Sequence, residues 1–479
     1  MKLKHLSTAM ILATLPATGV FAAALDRSGQ SMSAFLQPGN YFEAGISVLD
    51  PTVEGQEAGG TATTRKIDDM AGDYFFPSAA LKLQLTDKFS FGLLYDQPFG
   101  ADAKYTGDNV FVSNPNDGVL SAKSIDGIVT KRAIDALEAQ GIPVNEQSIA
   151  QAKAQVQSSP EFQQLAGALN AAKGYLGSST DSNNTEVKVD TQNLSMVFGF
   201  QPNQSFNFYA GPVLQTVKGH VNLRGEAYSV YNGYDANIKE TTGVGWLAGA
   251  AYQIPEIALK ASITYRSEID HDVKIKEDMA LLGFPALGGI LAGLGLDASQ
   301  LAALSADNKT KITTPQSVNL DFQTGIMANT VAFANVRWVN WKDFSIQPDK
   351  FGKLSKLVGP IIGRPDGFNL VEYADDQWSV NAGVGRKLSE QWAGNVSVGW
   401  DSGAGNPITT LGPTEGYWNV GLGVQYSPTP ATFIAGGVKY FWLGDAKAQT
   451  GAQAGTNEYV AKFEDNNALA YGLKIGYRF

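Results

Sequence analysis

Two histidines, His220 and His271, stand in the body of the chain, with a third at His5. Serine-based hydrolysis needs a histidine beside the nucleophile and a third group to orient it. No serine motif accompanies either histidine. The chain has no cysteine, which removes disulfide scaffolds, thiolate zinc sites and cysteine nucleophiles. The paired acids Asp68-Asp69 and Asp375-Asp376 either bind Ca²⁺ or are solvated loop acids. Five cations are placed more suggestively. Lys260, Arg266, Arg337, Lys439 and Lys474 each occupy the polar phase of an alternating segment. A cation held there can meet a carboxylate by a charge-assisted hydrogen bond, and arginine can do so bidentately. The competing role is ion pairing with Asp96, Asp270, Asp321 or Asp401. Arg266, Arg337 and Lys439 are the carboxylate-binding candidates.

The elements that carry these cations have a period of two. In the last segment Leu469, Tyr471, Leu473, Ile475, Tyr477 and Phe479 alternate with Ala468, Ala470, Gly472, Lys474, Gly476 and Arg478. Trp392, Val396, Val398 and Trp400 alternate with Ala393, Asn395, Ser397 and Asp401, and two further segments, 418–426 and 434–442, repeat the pattern. Aromatics sit at the segment ends and aliphatics between them. That is a lipid-facing band between interfacial aromatic girdles, with a small or polar interior. In a bilayer such strands must close into a barrel, because an open edge leaves amides unsatisfied in hydrocarbon. The count is about fourteen segments of roughly ten residues or more. Short turns such as Thr86-Asp87-Lys88 and Ser389-Glu390 alternate with longer loops. The expected fold is an all-β, 14-stranded antiparallel transmembrane barrel with both termini on the periplasmic side.

Composition agrees. Glycine is abundant (52 of 479 residues), and the formal charge of −10 comes with no Lys/Arg block, which argues against nucleic acid as a partner. No internal apolar run is long enough for a helical span. Lys2, Lys4 and His5 precede an apolar stretch, Leu6 to Val20, and small residues at Ala22 and Ala24 fit a leader cleavage site. Residues 1–24 are therefore expected to be a signal peptide, 25–40 a short N-terminal plug and 41–479 the barrel. A Gram-negative outer-membrane location follows, with outer-membrane lipid and lipopolysaccharide as neighbours.

Two inserts break the alternation, at about 113–182 and 277–309. The first carries Val129, Ala133, Leu137, Ala152, Phe162, Leu165 and Leu169 at helical spacing, divided by Pro143 and Pro160. The second holds Leu281, Leu282, Phe284, Leu287, Ile290, Leu291 and Leu294. So many apolar groups in an outer loop either form an apolar groove for a ligand or pack as a lid on the first insert. Within the third strand, Gln97-Pro98-Phe99-Gly100 brings together a residue that cannot donate to a ladder and one that marks bulges.

Several stretches resemble the FadL/TodX family of outer-membrane transporters: YFFPSAALKLQLTDKFSFGLLYDQPFGADAKY (74–105), TTPQSVNLDFQTGIMANTVAFANVRWVNWKDF (313–344), WSVNAGVGRKLSEQWAGNVSVGWDSG (378–403) and GPTEGYWNVGLGVQY (412–426). The terminal Phe479, with Tyr477 before it, resembles the signal read by the barrel-assembly machinery. The family resemblance implies passive import of hydrophobic molecules, above all long-chain fatty acids, without cofactor or catalysis. It further implies capture in a groove of helical loops, a plug in the lumen, and lateral release where the third strand kinks, here at Pro98, Phe99 and Gly100. The family's Asn-Pro-Ala plug motif is missing and the segment before the first strand is short. A porin for small polar solutes is the alternative; it would need an open, charged eyelet and no apolar loop.

Overall fold

A computed structural model describes residues 25–61, 63–120, 122–173, 175–178, 183–294, 304 and 309–479. The expected signal peptide, 1–24, lies outside the described residues, as do 295–303 and 305–308 of the apolar loop.

One sheet of seventeen segments closes on itself. Three staves are each interrupted once, so the segments make fourteen barrel strands. These are β1 (Tyr41–Thr52), β2 (Tyr74–Gln84), β3 (Phe89–Asp96 with Gly100–Lys104), β4 (Glu186–Phe200), β5 (Phe206–Leu223), β6 (Tyr234–Ile254) and β7 (Leu259–Arg266 with Ile269–Met279). They continue as β8 (Lys309–Thr314 with Ser317–Met327), β9 (Thr330–Val339), β10 (Gln377–Lys387), β11 (Trp392–Asp401), β12 (Tyr417–Thr429), β13 (Thr432–Leu443) and β14 (Asn467–Arg478). Each strand pairs antiparallel with its sequence neighbours, and β14 pairs with β1 from Tyr41↔Arg478 to Thr52↔Asn467. No edge is left, as hydrocarbon requires.

The alternation sets which face is which. Trp378, Trp392, Trp418 and Trp442 are exposed at strand ends, with Val396, Val398, Leu422 and Ile434 exposed between them. Their alternates, Ser397, Asn419, Lys439, Ala470 and Lys474, are buried inside. Four periplasmic turns share one device, a side-chain oxygen that accepts from two successive amides. Thr86 takes Lys88 and Phe89, Asn203 takes Ser205 and Phe206, Ser389 takes Gln391 and Trp392, and Thr429 takes Ala431 and Thr432. These side chains mimic a backbone turn and fix the hairpin register.

Several strands break or end before the alternation does. The third is broken at 97–99, the fifth ends at Leu223 before a 3₁₀ turn, and the ninth ends at Val339. The last begins at Asn467, and the alternating residues before it join a separate five-stranded sheet with 55–57, 66–67, 408–409 and 446–449. A period of two cannot tell a barrel stave from a short cap strand. The first insert folds as helices α1 (Ala122–Ala139), α2 (Glu146–Ser158) and α3 (Pro160–Ala172). Asn145 closes a capping box on α2, while Ser159 caps α3 ahead of Pro160. The second insert contributes α4 (Leu287–Gly293).

A further helix, α5 (Asp349–Val358), buries Phe351, Leu354 and Leu357 in an apolar cluster, with Phe351 stacked on Tyr231. The buried Glu277 at the top of β7 accepts from the Lys350 and Phe351 amides at 2.8 and 2.9 Å and from the Tyr234 hydroxyl at 2.8 Å. Glu277→Ala strips partners from two helix-start amides and a buried hydroxyl, at about 1–3 kcal/mol each. Proteolytic cleavage around 345–372 in the variant is expected to outpace wild type. Equal cleavage would show that packing of Phe351 alone holds the helix.

Candidate functional site

The lumen is occupied from within by residues 25–40. Met32, Ala34, Phe35 and Leu36 pack on Tyr41, Ala80, Leu94, Val197, Tyr209, Leu247 and Phe433 of the barrel interior. Interior cations hold the segment's backbone. Lys82 donates to the Gln37 carbonyl, Lys260 to that of Leu36 at 2.9 Å and Arg266 to that of Gln30 at 3.0 Å, while the Asn319 amide donates to the Gly29 carbonyl at 2.7 Å.

The three candidate cations therefore have different fates. Arg337 is committed to structure: its Nε meets Asp26 at 2.6 Å, and its other nitrogens reach Asn319 at 2.7 Å and Gln30 at 3.1 Å. Arg266 spends only Nη2, on the Gln30 carbonyl and the Met32 sulfur, leaving buried Nε and Nη1 without an acceptor among the described residues. Asp96 and Asp321 lie within electrostatic reach of it. Lys439 is buried against Gly421, with no hydrogen-bond or ion-pair partner among the described residues. Lys474 pairs with Glu43 at 2.9 Å. Of the acids considered as partners, Asp270 faces outward and pairs with Lys311 at 2.7 Å, and Asp401 accepts from Gln377 at 2.7 Å.

Between the segment and the wall lies a cavity of about 330 Å³. Arg266 and Lys260 line one side, and Phe76, Pro77, Leu94 and Gln97 line another. The latter four belong to a seam in the wall. The β2–β3 ladder runs from Gln84↔Ser90 to Ala79↔Tyr95 and stops there. Beyond it, Gly100–Lys104 pairs only with β4, apart from an isolated Ala71↔Ala103 bridge. Both lips carry a proline, Pro77 and Pro98, neither of which can donate to a ladder. At the break, Thr191 takes over as partner, accepting from the Phe99 amide at 2.9 Å and donating to its carbonyl at 2.7 Å. Residues 25–27 add a strand-like contact inside it: the Arg27 amide donates to Pro98 at 2.6 Å and the Gly100 amide to Leu25 at 2.9 Å. Tyr74 spans the seam, its hydroxyl donating to the Asp102 carbonyl at 3.0 Å beneath the Arg27 guanidinium, 4.5 Å from the ring.

The apolar-loop residues do not meet this cavity. Leu281, Phe284, Leu287, Ile290 and Leu291 are buried, and Leu282 and Leu294 pack at the margin of the same cluster as Phe162, Leu165 and Leu169 of α3. Phe284 lies against Tyr175 with centroids 5.2 Å apart, and Arg132 donates to the Gly293 carbonyl. In this structure the two inserts pack on each other, because apolar faces that meet lower their free energy by leaving water.

Neither histidine stands beside a serine. His271 bonds to Gln215 at 3.0 Å and His220 to Glu186 at 3.2 Å. One acid of each pair also accepts hydrogen bonds from neighbouring chain while remaining partly or largely exposed. Asp69 accepts from the Val53 and Ala71 amides, and Asp376 from Trp338, Asn340 and the Lys342 amide. Among the described residues no group of acids and histidines could hold a metal. Sequence reading missed Asp26, Lys82, Thr191 and Pro77; only the second proline, three residues into a strand, left a trace.

The family model described as outer membrane protein transport protein (OMPP1/FadL/TodX) matches residues 169–479, well over half of the chain. No curated protein sequence matches. Among solved structures, a Pseudomonas aeruginosa FadL homologue is 14% identical over 94% of this chain and 92% of its own, with a TM-score of 0.57. The Pseudomonas putida toluene transporter TodX is 11% identical over 97% and 96%, with a TM-score of 0.53. At such identities the structures speak for the fold, and the family model for the lineage. The chain belongs to the OMPP1/FadL/TodX family of outer-membrane β-barrels, which pass hydrophobic compounds across the Gram-negative outer membrane passively and are not enzymes.

Proposed function

We propose that this protein takes up long-chain fatty acids and releases them sideways into the membrane through the β2–β3 seam. The observation that carries the reading is the cavity bounded by Arg266 on one side and by both lips of the seam on another. Its volume falls at the lower end of the roughly 300–1,000 Å³ typical of small-molecule sites. An acyl chain gains about 0.8 kcal/mol per buried methylene, so apolar walls supply affinity and one cation supplies selection. Arg266 is that cation, since its buried Nε–H and Nη1–H groups lack an acceptor among the described residues and a carboxylate entering beside them would supply one. Lys439 is a second candidate, further along the wall. Arg337 is withdrawn from the role by Asp26. Residues 25–40 act as the plug, and the α3–α4 contact is the closed form of the capture groove.

Export by the 1–24 signal peptide and insertion by the barrel-assembly machinery at the Tyr477–Phe479 end complete the reading. The test is uptake of labelled oleate, toluene and glucose by cells in which this is the only added barrel. Oleate entry is expected to rise and glucose entry to stay flat. Arg266→Gln should cut oleate affinity roughly tenfold or more, the worth of a hydrogen bond to a charged group, while sparing toluene. Equal loss of both ligands would rule out a carboxylate role, and glucose entry would point to an open aqueous pore.

A further inference from the structure

On the lipid-facing wall spanning β10 to β13, a furrow of about 540 Å³ runs from the periplasmic rim toward mid-membrane. Its floor is Gly394 and Gly436, its sides are Val396, Leu422 and Val438, and Arg386 closes its outer end. The register sets Arg386, Gly394, Val424 and Gly436 in one row across four strands, all facing out. The two floor glycines differ from those facing the lumen. A Cβ on Gly399 or Gly421 would press on the side chain of Asn419 or Ser397, which would have to shift. A Cβ on Gly394 or Gly436 would find nothing nearer than 3.5 Å, and neither has a positive φ. Their small size leaves an open slot in the hydrocarbon face that neither barrel packing nor backbone conformation requires.

The charge at its end identifies an occupant. Trp392 and Tyr426, with ring centroids 4.8 Å apart, lie one row nearer the periplasm and mark headgroup level. Arg386 thus stands two residues inside the aromatic belt, pointing to lipid, with no hydrogen-bond or ion-pair partner among the described residues. A guanidinium at that depth is stabilised by a phosphate, which it can grip through two parallel N–H···O bonds. We propose that the furrow is a binding site for one anionic glycerophospholipid of the periplasmic leaflet. Its phosphate rests on Arg386, and one acyl chain lies over Gly394 and Gly436 between the valines and Leu422. The site is separate from the transport path and stands whether or not fatty acid is the cargo.

The test is native mass spectrometry of the full-length barrel in detergent, titrated with dioleoyl-phosphatidylglycerol or dioleoyl-phosphatidylcholine. Wild type is expected to retain one phosphatidylglycerol in preference to phosphatidylcholine. Arg386→Gln should lower phosphatidylglycerol retention about tenfold, with Arg386→Lys restoring part of it. Gly394→Leu and Gly436→Leu, each of which fills the slot from an open position, should abolish retention of both lipids. Heat-modifiable gel mobility verifies that each variant is a folded barrel. Equal retention of the two lipids by wild type overturns the proposal. So does retention unchanged by Arg386→Gln, which would mean the arginine only snorkels to the interface.

Discussion

Replacing Arg337 with methionine is expected to release the start of the 25–40 segment from the lumen. Asp26 and Arg337 are both almost fully buried, 2.6 Å apart, and the guanidinium also ties down Gln30 and Asn319. Removing one partner strands a buried carboxylate, which destabilises by about 3–5 kcal/mol. Unfolding the whole barrel would lose far more, so the strain is relieved locally. Residues 25–27 leave the β3 break, while Asn319 on Gly29, Arg266 on Gln30, and Lys260 and Lys82 on Leu36 and Gln37 still hold the rest of the segment more loosely. The absence of native cysteine makes this measurable: Ala34→Cys, buried in the wild-type lumen, should react with a membrane-impermeant maleimide much faster in the Arg337→Met background. Single-channel conductance should rise with it. Adding Asp26→Asn should restore slow labelling, because removing both members of a buried pair is often close to neutral. Labelling as slow in Arg337→Met as in wild type would mean that Met32 and Phe35 packing, and not the ion pair, holds the segment.

The second large effect concerns the seam. Extending the Ala79↔Tyr95 register by two residues sets Pro77 opposite Gln97, and both line the cavity. Pro77→Cys with Gln97→Cys, joined by a reducible bifunctional thiol reagent, is expected to tie the two lips together; a direct disulfide needs Cα atoms about 4.4–6.8 Å apart, a spacing the ladder no longer imposes beyond Tyr95. Oleate entry should then fall to the level of cells lacking the protein and recover on reduction, with oleate binding at the cell surface unchanged. The control pair Leu81→Cys with Leu93→Cys sits in the intact part of the same ladder and should leave uptake untouched. Full uptake through a cross-linked seam would send the exit elsewhere. Filling the break through Gly100→Val is a poorer test, because an added Cβ there points at the Val189 carbonyl 3.0 Å away on β4 and not into the seam.

The sites differed in how far they could be read in advance. Pro98 and Gly100 announced an interruption because their effect is local: one lacks a donor and the other a side chain. Arg266, Arg337 and Lys439 were correctly expected to face inward, since alternation sets the face of every strand residue. Their separate roles were not legible. Arg337 finds its partner 311 positions away, and nothing in the sequence near either residue records that pairing. The apolar loop shows the same boundary. Its leucines declared that they would avoid water, yet a neighbouring helix and a ligand satisfy that demand equally well, and only the tertiary structure shows that they pack beside α3. Nothing in the sequence singled out Glu277, whose role appears only where α5 presents its first amides to it.

Sequence alone determined the closed all-β barrel, its lipid and lumen faces, its aromatic girdles and its short periplasmic turns, because each follows from a period of two or from side chains a few residues apart. Among the described residues, tertiary structure alone decided which interior cations keep unpaired donors, where the β2–β3 ladder breaks, what fills the lumen and how the two apolar inserts pack. Those outcomes depend on pairings between residues far apart in the chain, made only when the barrel closes around its own N-terminal segment.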